Sequence, residues 1–168
     1  MEAGWITALV SGCALILSPT FGILLDKIGY RGYSVLVSSF ALTTSFVIIL
    51  LSDNVALMFV AVGLIGFALS LISSGLWPCI TFLVDEEAYG VAFGLMGCGI
   101  NSAGLLMNYV LGIFFDEKRM DYAIISWLIL GVLSVLISIW WNVLDYKTGG
   151  DAQKPASSLE EREETEEE

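Results

Sequence analysis

The 168-residue chain has no histidine, which removes Ser-His and Cys-His nucleophiles and HExxH zinc sites together. Its three cysteines, Cys13, Cys79 and Cys98, are isolated within apolar runs. They form neither a disulfide framework nor CxxC metal spacing, and read as small buried packing residues. No GxSxG and no intramembrane aspartate pair occurs. An enzyme is not expected, and no cofactor or metal site is indicated. Basic residues are equally scarce, with seven Lys and Arg against 18 acids and a net charge of −11. Nucleic-acid binding requires clustered cations to displace counterions, so it is excluded.

Charge as a whole is low, at 15%, and unevenly placed. Nine of the acids and three of the basic residues fall between Asp145 and Glu168, which leaves 13 charges in the first 144 residues. The hydrophobic set supplies 57% of the chain and mean hydropathy is +0.81. A soluble domain of this size could not cover that much apolar surface. The chain reads as an all-α, multi-pass membrane protein with the lipid bilayer as its first partner.

A bilayer core needs about 20 apolar residues per helix, and five runs qualify, at 5–25, 33–51, 55–84, 89–115 and 122–144. The strands of a membrane β-barrel would alternate apolar and polar residues, and none of these runs does. The first lacks a basic leader and a small-residue cleavage site, so it reads as a span. Lys27, Arg31, Lys147 and Lys154 lie on one side, against Lys118 and Arg119 on the other. The positive-inside bias therefore puts the C-terminus in the cytosol. The membrane region is expected to cover 1–146. Residues 147–168 are expected to form a disordered acidic cytosolic tail, since seven of the last nine residues are glutamate.

Within the spans, Gly63, Gly66, Ser70, Ser73 or Ser74, and Trp77 recur at three- and four-residue spacing. The next residue, Pro78, lacks an N–H and clashes with the carbonyl of Ser74, so a kink or partial break is expected there. Trp77, beside a broken helix, suits a cavity wall, with a deep interfacial position as the alternative. Gly90, Gly94, Gly97, Asn101, Gly104, Asn108 and Gly112 form a second stripe on one helical face. Interhelical packing explains most of it; an Asn101 amide facing an aqueous path is the alternative. No Asp, Glu, Lys or Arg lies well inside a span, so these helices supply no carboxylate proton carrier.

The first joint reads GILLDKIGYR over residues 22–31. Gly22 lets a neighbouring helix approach, Asp26 can pair with a basic group, Lys27 and Arg31 anchor the loop, and Gly29 permits a tight reversal. This is similar to the G-x-x-x-D-[RK]-x-G-[RK]-[RK] signature of the major facilitator superfamily, departing from it at Tyr30. Residues 18–27 resemble the end of that family's eighth helix. Residues 76–84 (LWPCITFLV) resemble the tenth, and 92–96 (AFGLM) followed by Asn101 the eleventh. In this order they resemble the superfamily's lysosomal dipeptide transporter group over about 4–144.

The resemblance implies that the five spans correspond to helices eight to twelve of a twelve-helix carrier. On that mapping the chain reads as a fragment, a truncated gene model or a degenerate copy. It further implies dipeptide export from lysosome to cytosol by facilitated diffusion, with a luminal glycosylated accessory subunit. Trp77 would be a cavity wall and Asn101 a polar contact, joined along the path by Ser70, Ser74 and Asn108. Asp26, Lys27 and Arg31 would act as a gate, with Gly22 and Gly29 in the same loop. Two other readings stay open: a proton-coupled carrier of the same superfamily, and a non-transporting five-span assembly protein that uses its glycine stripes to form a homodimer or to bind a full carrier.

Overall fold

A computed structural model describes residues 2–52, 54–116 and 119–155. Apolar runs without water to satisfy their amides must bond within the segment, and they do so as helices. In chain order these are α1 (Glu2–Ile28), α2 (Arg31–Leu51), α3 (Val55–Leu83), α4 (Tyr89–Asp116) and α5 (Met120–Thr148). Single 3-10 turns follow at Glu86–Ala88 and Asp151–Gln153. Among the described residues there is no strand, and four helices, α2 to α5, are long and apolar enough to cross a membrane. The first expected span lies on α1, where several side chains up to Cys13 are outside the described set.

The first joint is shorter than the charge pattern suggested, while the second keeps its expected three residues. Between α1 and α2 only Gly29 and Tyr30 are non-helical, both with positive φ (78° and 59°). Asn54 caps α3 by accepting from the Ala56 amide at 2.9 Å. Gly149 and Gly150, with φ of 122° and 74°, end α5, and the Gly150 amide closes on the Asp145 carbonyl at 2.8 Å.

Two expectations need correction. No partial break appears in α3, which runs unbroken through Pro78 to Leu83. The Ser74 hydroxyl donates back to the Ser70 carbonyl and Thr81 to the Pro78 carbonyl, so hydroxyls along this stretch are taken up within the helix. The second concerns residues 147–155, expected to be disordered from the start. They finish α5, turn, and bury Ala152 to 1% exposure against the bundle. Residues 156–168 lie outside the described residues, as does Lys118.

The packing order is α1 on α3, α3 on α2, and α2 on α5, with α4 at the margin and touching α3 and α5 only lightly. Phe21 and Phe67 meet edge to face between α1 and α3, with centroids 5.5 Å apart. Ser45, fully buried, donates to the Ala61 carbonyl at 2.8 Å and ties α2 to α3. Between α2 and α5, Ser39 shares hydroxyl bonds with Ser134 (2.9 Å) and Ser138 (3.0 Å). Phe46 stacks on Trp127 nearby. Outward-facing Leu, Ile, Val and Phe are what lipid tails require.

Gly131 on α5 meets Thr43 so closely that a Cβ there would lie 2.8 Å from its hydroxyl and 3.4 Å from its Cα. The α4 glycines 90, 94, 97, 104 and 112 have open space at the same position. Close helix approach is therefore built at Gly131, while the glycines of the α4 stripe face open space among the described residues. Gly131→Leu is expected to force α2 from α5 and to cost about 1–3 kcal/mol or more. Ser39→Ala should cost under about 1 kcal/mol, because hydroxyl bonds between membrane helices average about 0.6 kcal/mol. Gly104→Ala should be neutral. Thermal unfolding in detergent measures all three, and equal losses at Gly131 and Gly104 would refute the packing assignment.

Candidate functional site

Between α1 and α3 lies a groove of about 710 Å³. Ser18, Pro19, Gly22 and Asp26 line it from α1, and Ser70, Ser73, Ser74 and Pro78 from α3. Gly22, with nothing within 4 Å of a virtual Cβ, leaves the floor open. Each wall carries a proline within a helix. A proline deprives the carbonyl four residues earlier of its partner, here Leu15 and Ser74, which both line the groove. The Ser70 and Ser74 hydroxyls spend their protons on Gly66 and Ser70 carbonyls. What these walls offer is therefore mainly acceptors: carbonyls, hydroxyl lone pairs and the Asp26 carboxylate.

Asp26 closes one end of the groove. Its carboxylate accepts from the Arg31 guanidinium at 2.6 Å and remains 53% exposed. Arg31 is 1% exposed overall. The pair is thus asymmetric, with a buried cation and a half-solvated anion. Solvent screening keeps the pair's own worth near 1 kcal/mol, whereas the buried guanidinium depends on its whole surroundings. Lys27 is exposed on the last turn of α1.

The remaining expected site residues are not gathered in the groove. Trp77, 39% exposed, stacks on Phe93 of α4 with centroids 6.0 Å apart and planes 10° from parallel. Asn101 and Asn108 are exposed on α4, and the Asn101 amide donates to the Gly97 carbonyl at 2.8 Å. Ser70, Ser74, Gly22, Asp26 and Pro78 do meet in one place. A second, apolar hollow of about 410 Å³ lies between α2, α3 and α5, lined by residues such as Leu76, Leu133 and Trp141.

Sequence reasoning missed the companions of the charged end. Asn142 donates to the Gly32 carbonyl (2.9 Å) and accepts from Gln153 Nε2 (2.9 Å). The Asp145 carboxylate, 6% exposed, accepts from the Ala152 amide at 3.0 Å. Gly75 touches this region too, since a Cβ there would fall 2.3 Å from the Ser34 hydroxyl. Pro19 and Ser18 were visible signals, as a proline inside an apolar run marks a groove or packing wall. Asn142, Asp145 and Gln153 carry no such local mark.

The sequence profile of the Major Facilitator Superfamily matches residues 1–162. Similar curated proteins include the lysosomal dipeptide transporter MFSD1 of Gallus gallus, 29% identical over 95% of this chain and 36% of its own length. The human protein of that name is 26% identical over 95% of this chain and 34% of its length, and that of Mus musculus 29% identical over the same shares. The chain thus spans about a third of the length of the curated relatives it matches. No solved structure matches it.

Proposed function

We propose, because the chain belongs to the Major Facilitator Superfamily, that it supplies the second-half helices of a carrier that moves dipeptides out of the lysosome by alternating access. The superfamily and the relatives it matches are transporters and not enzymes, which supports a membrane setting and a small solute as the carrier's substrate. The dipeptide, the lysosome and uniport are our reading, taken from the relatives' name and from the groove. The observation that carries it is the acceptor-lined groove with Asp26 at its end. A dipeptide brings an ammonium and an amide N–H, donors that match these acceptors. No ionisable group lies in the middle of a span, so these helices supply no proton carrier and any coupling resides in the rest of the carrier.

In this reading Asp26, Lys27 and Arg31 gate the cytosolic end and Ser70 and Ser74 form the wall. Trp77, Asn101 and Asn108 line the opposite side of the path once the remaining helices of a carrier enclose it. The glycosylated luminal subunit would bind at the other face. The test is dipeptide uptake into liposomes by the protein produced from its own transcript. Ser73→Leu fills the groove from an exposed position and should cut uptake at least tenfold at equal abundance. Trp77→Ala should reduce it as well. Uptake unchanged in both would end the groove assignment, and uptake that follows a pH gradient would favour the proton-coupled carrier.

A further inference from the structure

We propose that residues 149–155 form a latch on the α1–α2 turn, with Gln153 as the residue that positions the gate. The inference rests on reading Asp26 and Arg31 as that gate. It begins with the turn itself, where Gly29 and Tyr30 are both left-handed. A tyrosine holds that conformation only when its surroundings impose it. The Tyr30 side chain is 55% exposed and its ring meets the nearby Tyr33 ring, 5.9 Å between centroids, so it does not anchor the turn to the far end of the chain. Its amide does: it donates to the Gln153 carbonyl at 3.0 Å.

The strap that presents this carbonyl is itself fixed. Gly149 and Gly150 turn it back, the Gln153 amide bonds to the Gly150 carbonyl at 3.0 Å, and Ala152 is buried with its amide on Asp145. The Gln153 side chain reaches Asn142, and Asn142 reaches the Gly32 carbonyl. Turn, strap and the end of α5 therefore close one ring of hydrogen bonds. The fit leaves no slack. A Cβ on Gly29 would lie 2.3 Å from the Gln153 carbonyl oxygen, and one on Gly32 2.3 Å from its side-chain nitrogen.

Arg31 is the next residue after the constrained tyrosine, and its guanidinium holds Asp26. The strap thus pins the residues on both sides of Arg31, Tyr30 and Gly32, so moving Arg31 away from Asp26 pulls against the strap. The strap lies beyond the last helix, so its release loosens α2 from α5 only at Asn142 and leaves the Ser45–Ala61 and Ser39–Ser134 bonds in the middle of α2 in place. A contact of that kind acts on how fast the gate opens, and residues 149–155 are not among those that line the groove.

Hydrogen exchange on the whole protein in lipid nanodiscs tests the latch directly, using Gln153→Ala and a chain ending at Gly149. Exchange over 29–34 should rise at least tenfold in the shortened chain and less in Gln153→Ala, with the middle of α2 unchanged. Dipeptide uptake should then show a maximal rate altered at least threefold with KM unchanged. Exchange unaltered at 29–34 in both variants overturns the proposal. So does protection lost along all of α2, which would make the strap merely structural, or a faster-exchanging turn with normal uptake kinetics. A faster-exchanging turn in a protein with no dipeptide uptake in any form supports the latch and refutes the transport reading instead.

Discussion

Arg31→Leu is expected to be among the most damaging single substitutions in this chain, costing about 3–5 kcal/mol. The guanidinium is 1% exposed and pairs with Asp26, while Asp145 is buried to 6% at the same end of the bundle. Leucine fills part of the volume but leaves Asp26 without its partner and empties surroundings shaped around a buried cation. For a chain of this size the loss corresponds to a fall of about 10 °C in the unfolding midpoint. Asp26→Asn should cost only about 1 kcal/mol, because that carboxylate is half in solvent. Arg31→Lys should lie between, keeping the charge but losing the planar fork. Thermal unfolding in detergent ranks the three. Equal losses for Arg31→Leu and Asp26→Asn would mean that the surface pair, and not the buried cation, holds this end together.

The helices were legible because their cause is local. An apolar run of bilayer length must bond within itself, and charge or turn residues must mark its ends. So the five helices follow the five runs, with ends shifted by a few residues. The groove was half legible. Ser70, Ser74 and Pro78 stand out at helical spacing, and Asp26 and Gly22 stand out in the joint. That they face one another across α1 and α3 is a tertiary fact.

Glycines show why spacing stops short. The periodic stripe on α4 predicts a packed face, yet a Cβ at Gly94, Gly97 or Gly104 would meet nothing within 4 Å among the described residues. Gly29, Gly32, Gly75 and Gly131, which follow no stripe, are the crowded ones. Periodicity tells which residues share a face and says nothing about what covers it. The strap was hidden for a related reason. Its Gly, Asp, Gln and Lys composition is that of a solvated tail, and its anchors Tyr30 and Gly32 lie more than a hundred positions earlier.

Gly29 separates two sources of constraint that a single substitution would merge. Gly29→Ala should destabilise the chain by about 3 kcal/mol. About 1–2 kcal/mol of that is the left-handed backbone, and the rest is collision with the strap, at 2.3 Å from the Gln153 carbonyl oxygen and 2.9 Å from the Lys154 carbonyl carbon. Gly29→Asn tolerates the left-handed region but still carries a Cβ, so it should keep the collision and shed most of the backbone cost. In a chain ending at Gly149 the collision partner is gone. There Gly29→Asn should be close to neutral and Gly29→Ala should retain only its backbone cost. The difference between full and shortened chains is the coupling between the turn and the strap, isolated as a double-mutant cycle. A coupling near zero would mean that the turn sets its own conformation and that the strap merely lies against it. A coupling of about 1–3 kcal/mol would mean that residues 150–155 hold the α1–α2 reversal in place.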